Sequence, residues 1–264
     1  MGILDFFKKK GTESDREGGL PPSVAKWSDK VLDKRAQTYE RVEAIYALCK
    51  ITSGDLDEKK TDEARYARDV SAAVSVLMKR LSFSVDPSIT DQEEKDVALE
   101  GILAAKELAV DPVRKFADRA ESLAWPIRIL KVLLEKEAFT LELLEWLSGW
   151  DTEYAKFVDP KLQLLSELEE HRHPDIAAAV LPFLDDVNET ARFHAVGVLL
   201  AQDDPSVVAP LATALKGEES VRVKNRAAQA LVTKGWVLDE AVANELHPAL
   251  PMGYSLSNNV VVRA

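Results

Sequence analysis

From about Ser23 to Leu246, apolar side chains return at every third or fourth position, the spacing that lays one stripe along an α-helix. Val70, Ala73, Val74, Leu77 and Leu81 form one stripe, and Val97, Leu99, Ile102 and Leu103 form the next. A recurring device punctuates them. Asp111-Pro112, Asp159-Pro160 and Asp204-Pro205 each set a carboxylate before a proline. Aspartate can accept from the free N–H groups of a first turn, and proline at the first helical position lacks only a donor that would be unpaired anyway. His173-Pro174 repeats the device with a poorer cap, and Thr90-Asp91-Gln92-Glu93 has the form of a capping box. Helices joined by so few residues must pack on their sequence neighbours. The pattern stops at both ends. Residues 1–22 read as a tail, with an apolar start, a lysine run, a polar stretch and the break Pro21-Pro22. Residues 247–264 read as a second tail, where Pro248, Pro251 and Gly253 stop the helix before the β-branched run Val260-Val261-Val262.

Within the helical zone, 23–246, one segment repeats. His173 to Leu184 is followed by Asp186 to Leu200, and about thirty residues on, Asp204 to Leu215 is followed by Glu219 to Leu231. Ile176, Val180 and Leu184 fall on Val207, Leu211 and Leu215, while Arg192, Ala195 and Leu199 fall on Lys224, Ala227 and Leu231. Two helices recurring at this period are the mark of a solenoid. The second helices, with Ala191-Arg192 before Ala195-Val196 and Val223-Lys224 before Ala227-Ala228, resemble the HEAT-repeat consensus. They are closest to the short bacterial variety of phycobilin-lyase-like proteins, and the motif covers 173–234. The resemblance implies an all-α fold, an α-α superhelix built as a HEAT-like solenoid of antiparallel helix pairs. Pairs drawn at 23–52, 62–108, 110–137 and 139–171 keep the rhythm without the motif. They are read either as diverged repeats or as an ordinary bundle leading into two clean repeats.

Composition narrows the function. The 264 residues carry 34 Lys and Arg against 45 Asp and Glu, a formal charge of −11. Affinity that comes from neutralising phosphates needs a basic face, so nucleic acid is not expected as the main ligand. Few glycines and prolines (11 and 12) favour helices over a turn-rich β fold. No apolar run is long enough to span a bilayer, and the N-terminus lacks the long apolar region of a signal peptide. The lone cysteine, Cys49, can build neither a disulfide framework nor a thiolate metal cage; it is read as core packing in a reducing, cytoplasmic setting.

Catalytic chemistry has little to stand on. His171 and His173 diverge by about 200° on a helix and could not chelate one ion from one face. Both are read as solvated or as facing a helix C-terminus. No phosphate loop, nucleophile elbow or paired-cysteine motif occurs, and the His-Glu dipeptides that serve as iron ligands in HEAT-built hydroxylases are missing. Trp146, Trp150 and Asp151 are the one set that suggests the aromatic-plus-carboxylate site of HEAT-like DNA alkylation glycosylases, and a bilin-lyase activity is implied by the resemblance alone. The expectation is no catalytic residue, no metal and no cofactor, with those two activities as alternatives.

Binding is the stronger reading. In a HEAT stack the second helices line a concave face; here that face offers Phe193, His194, Asn225, Arg226 and Gln229, while Arg192 and Lys224 join polar contacts between repeats. Arg222, Lys224 and Arg226 form a basic stripe, read either as a dock for an acidic peptide or lipid headgroup or as a solvated helix face. In the first tail, Ile3, Leu4, Phe6 and Phe7 precede Lys8, Lys9 and Lys10, read as a weak membrane-surface or partner-docking motif, as an untethered tail, or as an N-terminal cap. In the last tail, Tyr254, Leu256 and Val260 to Val262 are placed to cover the open end of the final repeat. The acidic clusters Asp55 to Glu63 and Asp91 to Asp96 are read as solvated. The chain is therefore expected to be a non-catalytic adaptor that binds a protein partner, with peripheral membrane attachment through residues 1–10 as a further alternative.

Overall fold

In the computed structural model, which describes residues 19–54 and 62–264, the helical spacing is realised as thirteen α-helices and one two-stranded hairpin. The fold is all-α apart from that hairpin. The motif Ile3 to Lys10 and most of the first acidic cluster lie outside the described residues. Among the described residues no helix is long and apolar enough to cross a membrane. The chain divides into two compact units: residues 1–119 with 125–133, and residues 120–124 with 134–264.

The first unit holds α1 (Pro22–Leu32), α2 (Thr38–Ser53), α3 (Glu63–Leu81), α4 (Ser88–Ala104), α5 (Val110–Ala117) and most of α6 (Ala124–Leu133). Helix α3 is its axis, packing on α1, α2, α4 and α5. Its predicted stripe is buried throughout, from Val70 to Leu81. Cys49 of α2 meets α4 at Gly101, where a side chain would run into the Cys49 sulfur. The thiol is packed as expected, and burial together with the nearby Glu100 pushes its pKa up to about 12.

Two sequence expectations fail at α4. The helix starts at Ser88 behind Pro87, so Thr90 lies inside the first turn and caps nothing. Asp91 and Glu94 are also buried rather than solvated. Glu94 accepts from Nε of Arg41 at 3.0 and 2.8 Å and from Nε of Arg80 at 2.8 Å. Asp91 accepts from Nη2 of Arg80 at 2.8 Å, Nζ of Lys95 at 2.7 Å and the Val85 N–H at 3.1 Å. Burial pushes the Asp91 carboxyl up, but these donors override it and hold it below the usual carboxylate range. The carboxylates face inward because two arginines from α2 and α3 are sunk there and must be neutralised.

The second unit has two layers. Helices α8 (Asp159–Leu168), α10 (Glu189–Ala201) and α12 (Val221–Lys234) pack in sequence. The other layer runs α7 (Lys136–Ser148), α9 (Pro174–Val180) with its 3₁₀ extension Leu181–Asp185, α11 (Val208–Gly217) and α13 (Glu240–Leu246). All six aligned first-helix positions, Ile176, Val180 and Leu184 with Val207, Leu211 and Leu215, are buried, as are Ala195, Leu199, Ala227 and Leu231. The Asp-Pro device serves unequally. Asp204 accepts from the Ser206 N–H at 2.9 Å and His173, through Nδ1, from the Asp175 N–H at 3.2 Å, so both cap. Asp159 is itself the first residue of α8, and Asp111 falls inside α5 because a 3₁₀ turn (Lys106–Ala109) runs straight into that helix.

His171 is not solvated. It is buried under α7, with Nδ1 2.6 Å from the Thr140 hydroxyl and its ring edge-on to Phe139. The end of the chain folds as strands β1 (Tyr254–Ser257) and β2 (Val260–Arg263), antiparallel and joined at Asn258-Asn259, both at positive φ. Asparagine tolerates that conformation, and two in succession give a turn whose twist suits a hairpin. Strand β2 packs on α12 with Val261 buried.

Candidate functional site

Helices α8, α10 and α12 run parallel, because polar contacts join their like ends. At the N-terminal ends, buried Lys161 of α8 reaches Asp186, two residues before the α10 cap, at 2.6 Å. One repeat on, Arg192 of α10 makes a two-pronged contact with Glu218, two residues before the α12 cap, at 2.7 and 3.0 Å. Asp186 and Glu218 each also accept the N–H two residues on, from Asn188 and Ser220, at 2.7 Å. Burial pushes Glu218 up, yet the Arg192 and Ser220 donors hold it below the usual range, and the bonded Glu218 raises Arg192. At the C-terminal ends, Gln202 donates to the His171 carbonyl at 3.1 Å, and its equivalent Lys234 reaches Asp203 at 2.7 Å. Arg192 thus takes the inter-repeat role expected of it. Lys224, the next rung, meets no carboxylate among the described residues.

Between the two ends lies a cluster drawn from all three helices. Glu169, at the end of α8, gives one oxygen to Nδ1 of His194 at 2.6 Å and the other to the Arg226 guanidinium. Phe193 lies beneath two guanidinium groups, Arg222 at 4.2 Å and Arg226 at 4.0 Å from the ring centre, close enough for cation–π attraction. Its ring also meets His194 edge-on. Arg226 reaches Glu169 only by crossing α10 at Gly197, where any side chain would occupy the space of the guanidinium.

Four of the six predicted face residues, Phe193, His194, Arg222 and Arg226, are therefore brought together. The other two are engaged separately. Asn225 turns back to its own helix and donates to the Val221 carbonyl at 2.8 Å. Gln229 holds the hairpin, accepting from the Tyr254 hydroxyl at 3.3 Å and from Arg263. The basic stripe is internally compensated, since Arg226 is paired with Glu169 and Arg222 Nε lies 3.2 Å from Glu189. Glu169 and Gly197 have no local sequence signal. They become legible only once three helices are laid side by side.

The Glu169 carboxylate orients the His194 ring, but no hydroxyl or thiol hydrogen-bonds that ring among the described residues. There, too, no group of His, Cys, Asp and Glu is placed to hold a metal ion. Asp151, of the suggested aromatic cluster, closes a turn by accepting from the Glu153 N–H at 3.1 Å, and its carbonyl accepts from Lys161 at 3.0 Å.

What the polar contacts leave open are exposed apolar side chains at the N-terminal ends of the parallel helices, with the Lys156 ammonium 4.9 Å from the Phe157 ring centre. Tyr154 and Phe157 precede α8, Val187 precedes α10, and Val221 opens α12; they are 84, 46, 58 and 66% exposed. The Val187 N–H donates to the Thr152 carbonyl at 3.0 Å, joining the segments before α8 and α10. Beneath these side chains lie the Lys161–Asp186 and Arg192–Glu218 pairs. Comparison of the chain with family models, with curated proteins and with solved structures finds no match in any of the three.

Proposed function

We propose that the chain is a HEAT-type helical-repeat scaffold of the bacterial variety, acting in the cytoplasm, and that its second unit binds a protein partner. The observation that carries this reading is the set of exposed apolar side chains Tyr154, Phe157, Val187 and Val221. Exposed apolar side chains grouped at one edge are a common feature of protein-binding surfaces. The charged groups below these side chains are paired with one another, Lys161 with Asp186 and Arg192 with Glu218, which leaves the apolar side chains as the contact surface. The parallel stack and its repeated salt bridges support the repeat reading. Arg222, half-exposed beside Phe193, extends the surface onto the predicted face.

The test is affinity capture from native lysate with the full chain, a chain starting at residue 21, and the Tyr154→Ser/Phe157→Ser variant. A partner held by both wild-type forms should be lost by the double variant while its circular dichroism stays unchanged. Capture that survives the double variant, or no specific partner for any form, sinks this reading. Capture that needs residues 1–20 moves the surface to the N-terminal motif.

A further inference from the structure

The first unit carries a cleft of about 770 Å³, enclosed by one face of α1, one face of α2 and the first turn of α3. Its size falls within the range that holds a small molecule rather than a folded partner. Two aromatic side chains line it, Trp27 from α1 and the half-exposed Tyr46 from α2. Three cations line it as well: Lys26, Lys50 and Arg65.

Those cations are out of keeping with the rest of the molecule. The chain has eleven more acidic than basic side chains, and elsewhere in this unit Arg41, Arg80 and Lys95 are tied to carboxylates at hydrogen-bonding distance. The side-chain cations of Lys26, Lys50 and Arg65 pair with no carboxylate among the described residues, although the Arg65 backbone N–H donates to Asp62 at 3.0 Å; the Lys26 ammonium lies 5.0 Å from the Trp27 ring centre. The single acid lining the cleft, Glu43, is already within 3.9 Å of Lys30. Aromatic walls beside uncompensated cations are complementary to a flat ligand bearing negative charge.

We propose that this cleft binds a small planar anion, an aromatic ring carrying a phosphate, sulfonate or carboxylate group. The ring lies against Trp27 and Tyr46, and the anionic group meets Lys50 and Arg65. Two probes of this class, adenosine 5′-monophosphate and anilinonaphthalene sulfonate, test it by calorimetry on the full chain at low ionic strength. Adenosine and inorganic phosphate serve as the two halves of the first probe. At least one intact probe is expected to bind saturably, and a bound monophosphate should exceed either half tenfold or more. Lys50→Glu and Arg65→Glu, both at exposed positions, should each weaken binding at least tenfold. Lys115→Glu, which makes the same charge change on α5, should alter it less than twofold. The proposal is overturned if neither probe saturates, or if Lys115→Glu weakens binding as much as Lys50→Glu.

Discussion

Gly101 and Gly197 each sit on a helix where a side chain would collide with a neighbour, but the neighbours differ. Under Gly101 lies the packed sulfur of Cys49; over Gly197 lies the far end of the long Arg226 side chain. The same contrast runs through the two units. In the first, charge is sunk: Arg41, Arg80, Asp91 and Glu94 are buried where α2, α3 and α4 meet, and they hold a closed bundle together. In the second, charge is strung along one direction. Lys161–Asp186, Arg192–Glu218 and Lys234–Asp203 each link one helix pair to the next, and Glu169–Arg226 spans from α8 across α10 to α12. A buried ionic knot gives a unit a fixed size. A series of equivalent links gives it a direction and leaves its edge free for contact.

The largest effect is expected where the knot is cut. Arg80→Ala leaves Asp91 and Glu94 buried and short of a partner, a loss of about 3–5 kcal/mol. Urea denaturation should show the midpoint of the first unit falling while the second is unchanged; a fall of under about 1 kcal/mol would refute the knot. The two glycines come next. Gly101→Ala should cost about 1–3 kcal/mol, because the colliding sulfur sits in a packed crossing, and Cys49→Ala should recover most of it. Gly197→Ala should cost about 1 kcal/mol by turning Arg226 away from Glu169. It should add nothing in an Arg226→Ala background, so a double-mutant cycle separates the two glycines. The smallest effect is in pH. The Glu218 carboxyl lies below its ordinary value of 4.5 in the folded chain, so its stabilisation is complete above that value and is lost as pH falls below it. Glu218→Gln should flatten the acid limb of a stability–pH curve, and an unaltered limb would show that the Arg192 pair has no such role.

Legibility followed distance along the chain. The stripes on α3 and α4 and the proline starts depend on residues within a few positions, so the helices could be read directly. The alignment of Arg192 with Lys224 correctly marked a link between repeats at Arg192, but its acid, Glu218, carries no local signal. Asp91 and Glu94 looked solvated because first-turn acids usually are; their shared partner Arg80 belongs to another helix, and Arg41, the second partner of Glu94, lies a whole helix pair away. His171 was misplaced for the same reason, since Thr140 and Phe139 belong to another helix. Phe193, His194, Arg222 and Arg226, named from the face that the HEAT resemblance implies, lie together in the fold, whereas Gln229 bonds a hairpin that spacing does not predict. The exposed Tyr154 and Phe157 lie in a loop, where no periodicity speaks for them.

The Asn258-Asn259 hairpin bears on how a protein of this design can lengthen. Strand β2 occupies the flank of α12 that a following parallel helix would need, and Gln229 is held by Tyr254 and Arg263 instead of facing a neighbour. Lys224 stands at the matching position with no acid supplied to it among the described residues. A duplicated unit inserted ahead of α12 would find both of its neighbours ready, whereas one appended after it would first have to displace the strands. The hairpin therefore moves with α12, and a helix added beside α12 would have to replace the bonds of Gln229 to Tyr254 and Arg263.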